Sequence, residues 1–177
     1  MAETASGKFT EIIFVRFQRG EDLRQGLLKV IKEKNIKTGA VLSITGALEK
    51  ATLQRFSQVG DPTIMTEVIE VAGPLEASGH GIIGQIESPA FGKTPFGPAK
   101  DLVDGEPYLH LHITVTSAEQ TVCGHLLDGS PVRSIEPVSH FIAILGRIDG
   151  VIVKMIGEPG AKDKPGSFHM RNELVQL

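Results

Sequence analysis

Residues 107–129 read PYLHLHITVTSAEQTVCGHLLDG, and this stretch decides the fold. Apolar residues alternate with others on both sides of a polar tip, Ser117-Ala118-Glu119-Gln120, the pattern of a β-hairpin with one buried face. With those four residues as the loop, Thr116 pairs with Thr121, and His112 stands opposite His125. Leu109, Leu111, Ile113 and Val115 then share a face with Val122, Gly124 and Leu126, while His110, His112 and His125 share the other. Residues two apart on a strand lie roughly 6.5–7 Å apart, and directly opposed β-carbons about 4.5–5.5 Å. Three imidazoles can therefore converge on one point, as a zinc ion with nitrogen ligands at about 2.0–2.1 Å requires. An isolated H-x-H is ordinarily a pair of solvated histidines; the third histidine on the same face makes this a candidate metal site. The inference depends on register, because a one-residue slip turns His125 to the wrong face.

Three neutral nitrogens suit zinc, with other divalent transition metals possible, and leave a fourth position open. Water, a small anionic ligand, a carboxylate from Glu106 or Asp128, or the Cys123 thiol are the candidates for it. His80 and His140 fall on other predicted strands, and His169 in a polar tail.

Composition bounds what surrounds the hairpin. The chain has 177 residues, 41% hydrophobic and 22% charged, with a formal charge of −3, which fits a single domain able to bury a full core. A lone cysteine excludes an internal disulfide framework, and no apolar run nears the ~20 residues that span a bilayer. The small, polar, acidic start MAETASGKF carries no export pattern, so a cytoplasmic location is expected. Non-specific nucleic-acid binding is driven by basic side chains releasing counterions from phosphates. An acidic chain with scattered basic residues, no Trp and one Tyr is poorly suited to it.

Twenty Gly and ten Pro divide the sequence into short segments rich in Val, Ile, Thr and Phe, so the chain reads as mainly β. Strands are expected at Thr10–Gln18, Ala40–Leu48, Ala51–Ser57, Ile64–Val71, Ala77–Ile86, Tyr108–Thr116, Thr121–Leu127, Val132–Leu145 with a break at Pro137, and Gly150–Met155. One helix is expected from Glu21 to Lys34, where Leu23, Leu27, Leu28, Val30 and Ile31 recur at helical spacing. Glu21 and Asp22 are assigned to its first turn, and Asn35 to a left-handed cap. From Glu87 to Pro107 four prolines mark a long loop, either functional or a tolerated insertion. Residues 10–156 make the core of one domain spanning 1–177, with a polar tail over 157–177.

Several motifs fail inspection. Gly79-His80-Gly81-Ile82-Ile83-Gly84 has the letters of a dinucleotide fingerprint, but Pro89 arrives before the helix that would receive the pyrophosphate. Its glycines are better explained by bends or close backbone approach in a strand. Gly92-Lys93-Thr94 lacks the leading glycine of a phosphate loop, since Glu87 stands there. Cys123 is read as a small buried hydrophobe in preference to a nucleophile activated by nearby His125.

At the hairpin the sequence resembles the PPC domain ("plants and prokaryotes conserved"), whose signature is close to HLHATL, a turn, then VxGGHL and a Gly. Here it stands as His110-Leu111-His112-Ile113-Thr114-Val115 and Val122-Cys123-Gly124-His125-Leu126, with Cys123 at the first Gly of the pair. The likeness extends upstream through VLSITGALEKATLQRF and downstream through PVSHFIAIL. It implies an α+β fold, a largely antiparallel sheet with one or two flanking helices, assembled as a homotrimer. Strands apolar on both faces agree with that assembly. In prokaryotic members the motif histidines bind zinc, which carries onto His110, His112 and His125. Plant members place AT-hook motifs before the domain; no Arg-Gly-Arg-Pro core occurs here. The fold is also similar to that of acetolactate decarboxylase, a zinc lyase, so a metal-dependent lyase acting on a small keto or hydroxy acid stands as one alternative role, and a DNA-associated interaction module as another. Lyase chemistry needs an acid or base and a cation for the carboxylate, for which Glu106, Arg55 and Arg133 are the right types.

Overall fold

The computed structural model describes residues 2–56, 66–87, 104–135, 140–159 and 168–177. In chain order the elements are β1 (Lys8–Arg16), α1 (Leu23–Glu33), β2 (Gly39–Phe56), β3 (Thr66–Glu87), β4 (Pro107–Thr116), β5 (Thr121–Leu126), β6 (Ile142–Asp149), β7 (Val151–Pro159) and β8 (Phe168–Gln176). They form one sheet in the order β1-β6-β2-β5-β4-β3-β7-β8, and an additional β2–β3 pairing closes β2, β5, β4 and β3 into a ring. Every pairing is antiparallel except β3 with β7. Among the described residues the architecture is thus a mostly antiparallel β fold with one short helix, richer in strand than a balanced α+β domain.

The ring turns the apolar face of the hairpin inward. Leu109, Leu111, Ile113, Val115, Val122 and Leu126 are buried there with Leu53 and Ile83. At full burial each such side chain contributes about 1.5–3 kcal/mol relative to exposure. Packing four strands this tightly leaves little room on β3. A Cβ on Gly79 would lie 2.5 Å from the His112 carbonyl oxygen, and one on Gly81 would collide with the His110 carbonyl oxygen. The Gly-His-Gly letters therefore serve close strand approach.

Helix α1 covers the core with Leu23, Leu27 and Ile31, all fully buried. Asp22 does not lie in its first turn but caps it, accepting from Gln25 N at 3.0 Å. Asn35 takes the left-handed conformation expected of it, at φ 51°. The same Asp22 carboxylate accepts from Gly129 N at 2.7 Å and Ser130 N at 2.8 Å, tying the helix start to the loop after β5.

Four expectations need correction. Ala40–Leu48 with Ala51–Ser57, and Ile64–Val71 with Ala77–Ile86, merge into the long strands β2 and β3, with 57–65 outside the described residues. The hairpin bends at a register shift between Leu48 and Lys50 rather than ending there, and Pro74 is accommodated at that irregularity. Val132–Leu145 is not one strand among the described residues: Val132 makes an isolated bridge to Leu48 and β6 starts only at Ile142, opposite Arg16, while 136–139, with the expected break at Pro137, lie outside the described residues. The supposed polar tail contains β8, which pairs with β7 from Val151↔Gln176 to Pro159↔Phe168. Of the expected long loop, 88–103 lie outside the described residues, Gly92-Lys93-Thr94 among them, and the two flanks are joined by Ile86 N to Glu106 O and Gly105 N to Ile86 O. Among the described residues no helix is long and apolar enough to cross a membrane.

Candidate metal centre

The hairpin register is the one its polar tip dictates: Thr116↔Thr121, Thr114↔Cys123 and His112↔His125. Its outer face brings His110, His112 and His125 together, with ligand nitrogens all within 4.8 Å of one another. The His110 ring lies 5.0 Å from those of His112 and His125, centroid to centroid, stacked on the first and edge-on to the second. Ligands at the corners of a zinc tetrahedron lie about 3.3–3.4 Å apart, given Zn–N near 2.05 Å. Small rotamer adjustments therefore suffice to close the site.

The surroundings keep the rings neutral. Burial lowers the pKa of His110, helped by His112; burial lowers that of His112, helped by His80. His125 is pushed down to about 3 by burial first, then by His110, His112 and Arg24. A metal needs imidazole in the unprotonated form. The donor set, three nitrogen donors unprotonated at neutral pH and converging from one side, fits a divalent transition metal.

One supporting residue carries no sequence signal beyond its parity. Tyr108 lies two positions before His110 on the same face, 8% exposed, and its hydroxyl meets His110 Nδ1 at 2.7 Å. Burial raises the Tyr108 pKa, so the hydroxyl stays protonated. If His110 Nδ1–H donates to the Tyr108 oxygen, Nε2 is the nitrogen presented to a metal, the usual arrangement behind a metal-bound histidine.

The proposed fourth ligands do not join the cluster. Glu106 forms an ion pair with Lys32, 2.8 Å from Nζ through each carboxylate oxygen, because Gly105 and Glu106 pair with the end of β3 beside α1. Asp128 is taken by Arg24 Nη1 and Gln25 Nε2, both at 2.7 Å. Cys123 lies on the histidine face as the register requires, but it is exposed, which corrects its reading as a buried hydrophobe: that face points out of the ring. Arg55 pairs with Glu67 and Arg133 with Glu49. His80 is exposed and stands opposite His112 across the β3–β4 seam, extending the histidine row by one strand. His140 is exposed ahead of β6, and His169 lies in β8. Among the described residues the fourth position of the cluster has no protein ligand.

A ring of long strands with a three-histidine centre on its outer wall is a defined class of domain. The model of the Plants and Prokaryotes Conserved (PCC) domain matches residues 4–146, and the chain belongs to that family. Two solved structures share the fold. A metal-containing protein from Archaeoglobus fulgidus aligns with TM-score 0.67 at 17% identity, over 96% of this chain and 99% of that one. A plant- and prokaryote-conserved protein from Pyrococcus horikoshii aligns with TM-score 0.65 at 20% identity, over 91% and 92%. An α-acetolactate decarboxylase from Bacillus subtilis reaches TM-score 0.44 at 14% identity over 78% and 53%, too slight a likeness to bear on activity. Among curated proteins, the bifunctional protein GlmU of a Synechococcus strain is 29% identical over 118 residues, which is 65% of this chain but 14% of that protein's length.

Proposed function

We propose that the protein is a zinc-binding member of its family, acting as a homotrimer, with one metal per chain held by His110, His112 and His125 and a fourth position open to water or a small anion. The convergence of three neutral imidazoles on one hairpin carries this reading. Zinc is the natural occupant of an all-nitrogen tetrahedral site, and an open position is the mark of catalytic rather than structural centres. Metal analysis of chelated and reconstituted protein should return about one equivalent per chain. The His112→Ala plus His125→Ala variant should bind none; unchanged stoichiometry overturns the site.

The trimer is supported by apolar side chains left outside the core. Ile12 and Phe14 on β1, 49% and 70% exposed, pair with Gly146 and Ile144 on β6, on the strand face that also carries the exposed Ile142. Such a patch on a soluble domain marks an association surface. Sedimentation equilibrium giving the single-chain mass of 19.0 kDa would refute the assembly.

A further inference from the structure

The histidine face continues sideways around the ring as a row of directly opposed residues: His80 on β3, His112 on β4, His125 on β5 and Gln54 on β2. Directly opposed side chains leave the sheet on the same face, with β-carbons about 4.5–5.5 Å apart. Gln54 therefore stands beside His125 on the flank away from β4, as His112 does on the other. Parity along β2 agrees, since Ala51 and Leu53 are fully buried in the core and Gln54 falls on the opposite, outer face. Yet Gln54 is only 5% exposed, whereas Phe56, two places further on, is 82% exposed.

The side chains bordering the three histidines on this face are Ile82 opposite His110, His80 opposite His112, Gln54 opposite His125, and Tyr108, Thr114 and Cys123 one step along the strands. Two of these are buried with a polar end, Tyr108 and Gln54. The Tyr108 hydroxyl meets His110 Nδ1, and Gln54 holds the matching place at His125. None of the six is a carboxylate, and the acids Glu106 and Asp128 are engaged by Lys32 and Arg24. Zinc takes imidazole, thiolate and carboxylate ligands. A glutamate differs from glutamine by one terminal atom and would supply such a ligand beside His125; the neutral carboxamide supplies a hydrogen-bond donor and an acceptor instead.

We infer that Gln54 borders the open position of the three-histidine centre, where its carboxamide leaves that position to an exchangeable anion and donates a hydrogen bond to it. The inference rests on the metal-site reading above, and the test separates the two. The full chain is loaded with cobalt(II), whose visible spectrum reports on the coordination sphere, and is titrated with azide, an anion that ligates metals. Gln54→Leu keeps most of the bulk and removes the donor. It should hold about one cobalt per chain and bind azide about 10- to 100-fold more weakly than wild type, the loss expected for a hydrogen bond to a charged group. Gln54→Glu keeps the shape and adds a ligand, so its cobalt spectrum should no longer respond to azide, and zinc should raise its melting temperature more than that of wild type. Azide affinity in Gln54→Leu within about twofold of wild type overturns the inference, as does a wild-type azide response in Gln54→Glu. Equal losses of cobalt and azide binding in Gln54→Leu overturn it too, because they mark a purely structural role. If Gln54→Glu does not fold, the leucine variant decides alone. Failure of the wild-type chain to bind cobalt refutes the metal centre itself, and cobalt binding without any azide response refutes its open position.

Discussion

Replacing Tyr108 by Phe removes one oxygen and leaves the ring, which packs with Ile86 and Met155, in place. What is lost is the 2.7 Å bond to His110 Nδ1. With Nδ1–H as the donor, the variant leaves it without its acceptor in a half-buried setting, at a cost of about 1–3 kcal/mol. The neutral ring is also freed to move its proton to Nε2, the nitrogen a metal needs. Outer partners of this kind are typically worth about 10- to 100-fold in metal affinity. Zinc titration against a competing chelator should therefore show Tyr108→Phe still binding about one equivalent, with Kd raised about 10- to 100-fold. Thermal melting of the metal-free variant should drop by only the lost bond, about 2–4 °C per kcal/mol, because packing is conserved. A Kd within about twofold of wild type in a normally folded variant refutes the assigned role of the hydroxyl.

In the metal-free protein the three imidazoles have folded pKa values below the ordinary 6.5, so the unfolded chain binds more protons and stability falls as pH drops from about 6.5 toward the His125 value of about 3. Denaturant melts of chelated protein at stepped pH should show this slope and His125→Asn should flatten it; identical slopes in the two proteins contradict the assignment. Gly81→Ala drives a methyl group into the His110 carbonyl oxygen, so the β3–β4 seam should part and stability should drop by roughly 2 kcal/mol or more, with metal binding weakened in parallel. A variant that melts like wild type would show that the seam yields. With a formal charge of −3, duplex DNA binding should be weak or absent at physiological salt; fluorescence anisotropy giving a submicromolar Kd with a steep salt slope would contradict that.

The hairpin and its cluster of three histidines were legible because strand period is 2: once the tip is fixed, parity and register follow for every residue from His112 to His125. Element ends were less so. Leu48 and Lys50 bound a register shift within one strand, and local sequence does not distinguish such a bend from a turn when the partner strand that carries the ladder through it is far away. Strand β8 went unseen because the polar run Arg171-Asn172-Glu173 gives no apolar alternation, and its order comes from pairing with β7. Tyr108 could have been found by extending the histidine parity one step back. The tie between α1 and the loop after β5 could not, since it depends on Asp22 meeting backbone groups about a hundred residues away.

The closure of β2, β5, β4 and β3 on one another has a consequence for the metal site proposed above. In a zinc finger the ion is the keystone, and chain and ligands collapse apart without it. Here the three histidines are mounted on a wall whose seams are all sewn by backbone hydrogen bonds and whose inside is filled, so on that reading stripping an ion would leave the frame standing. Occupancy would then be a property of the surrounding ion pool, and an ion would be taken up, lost or exchanged for a rival without the domain unfolding.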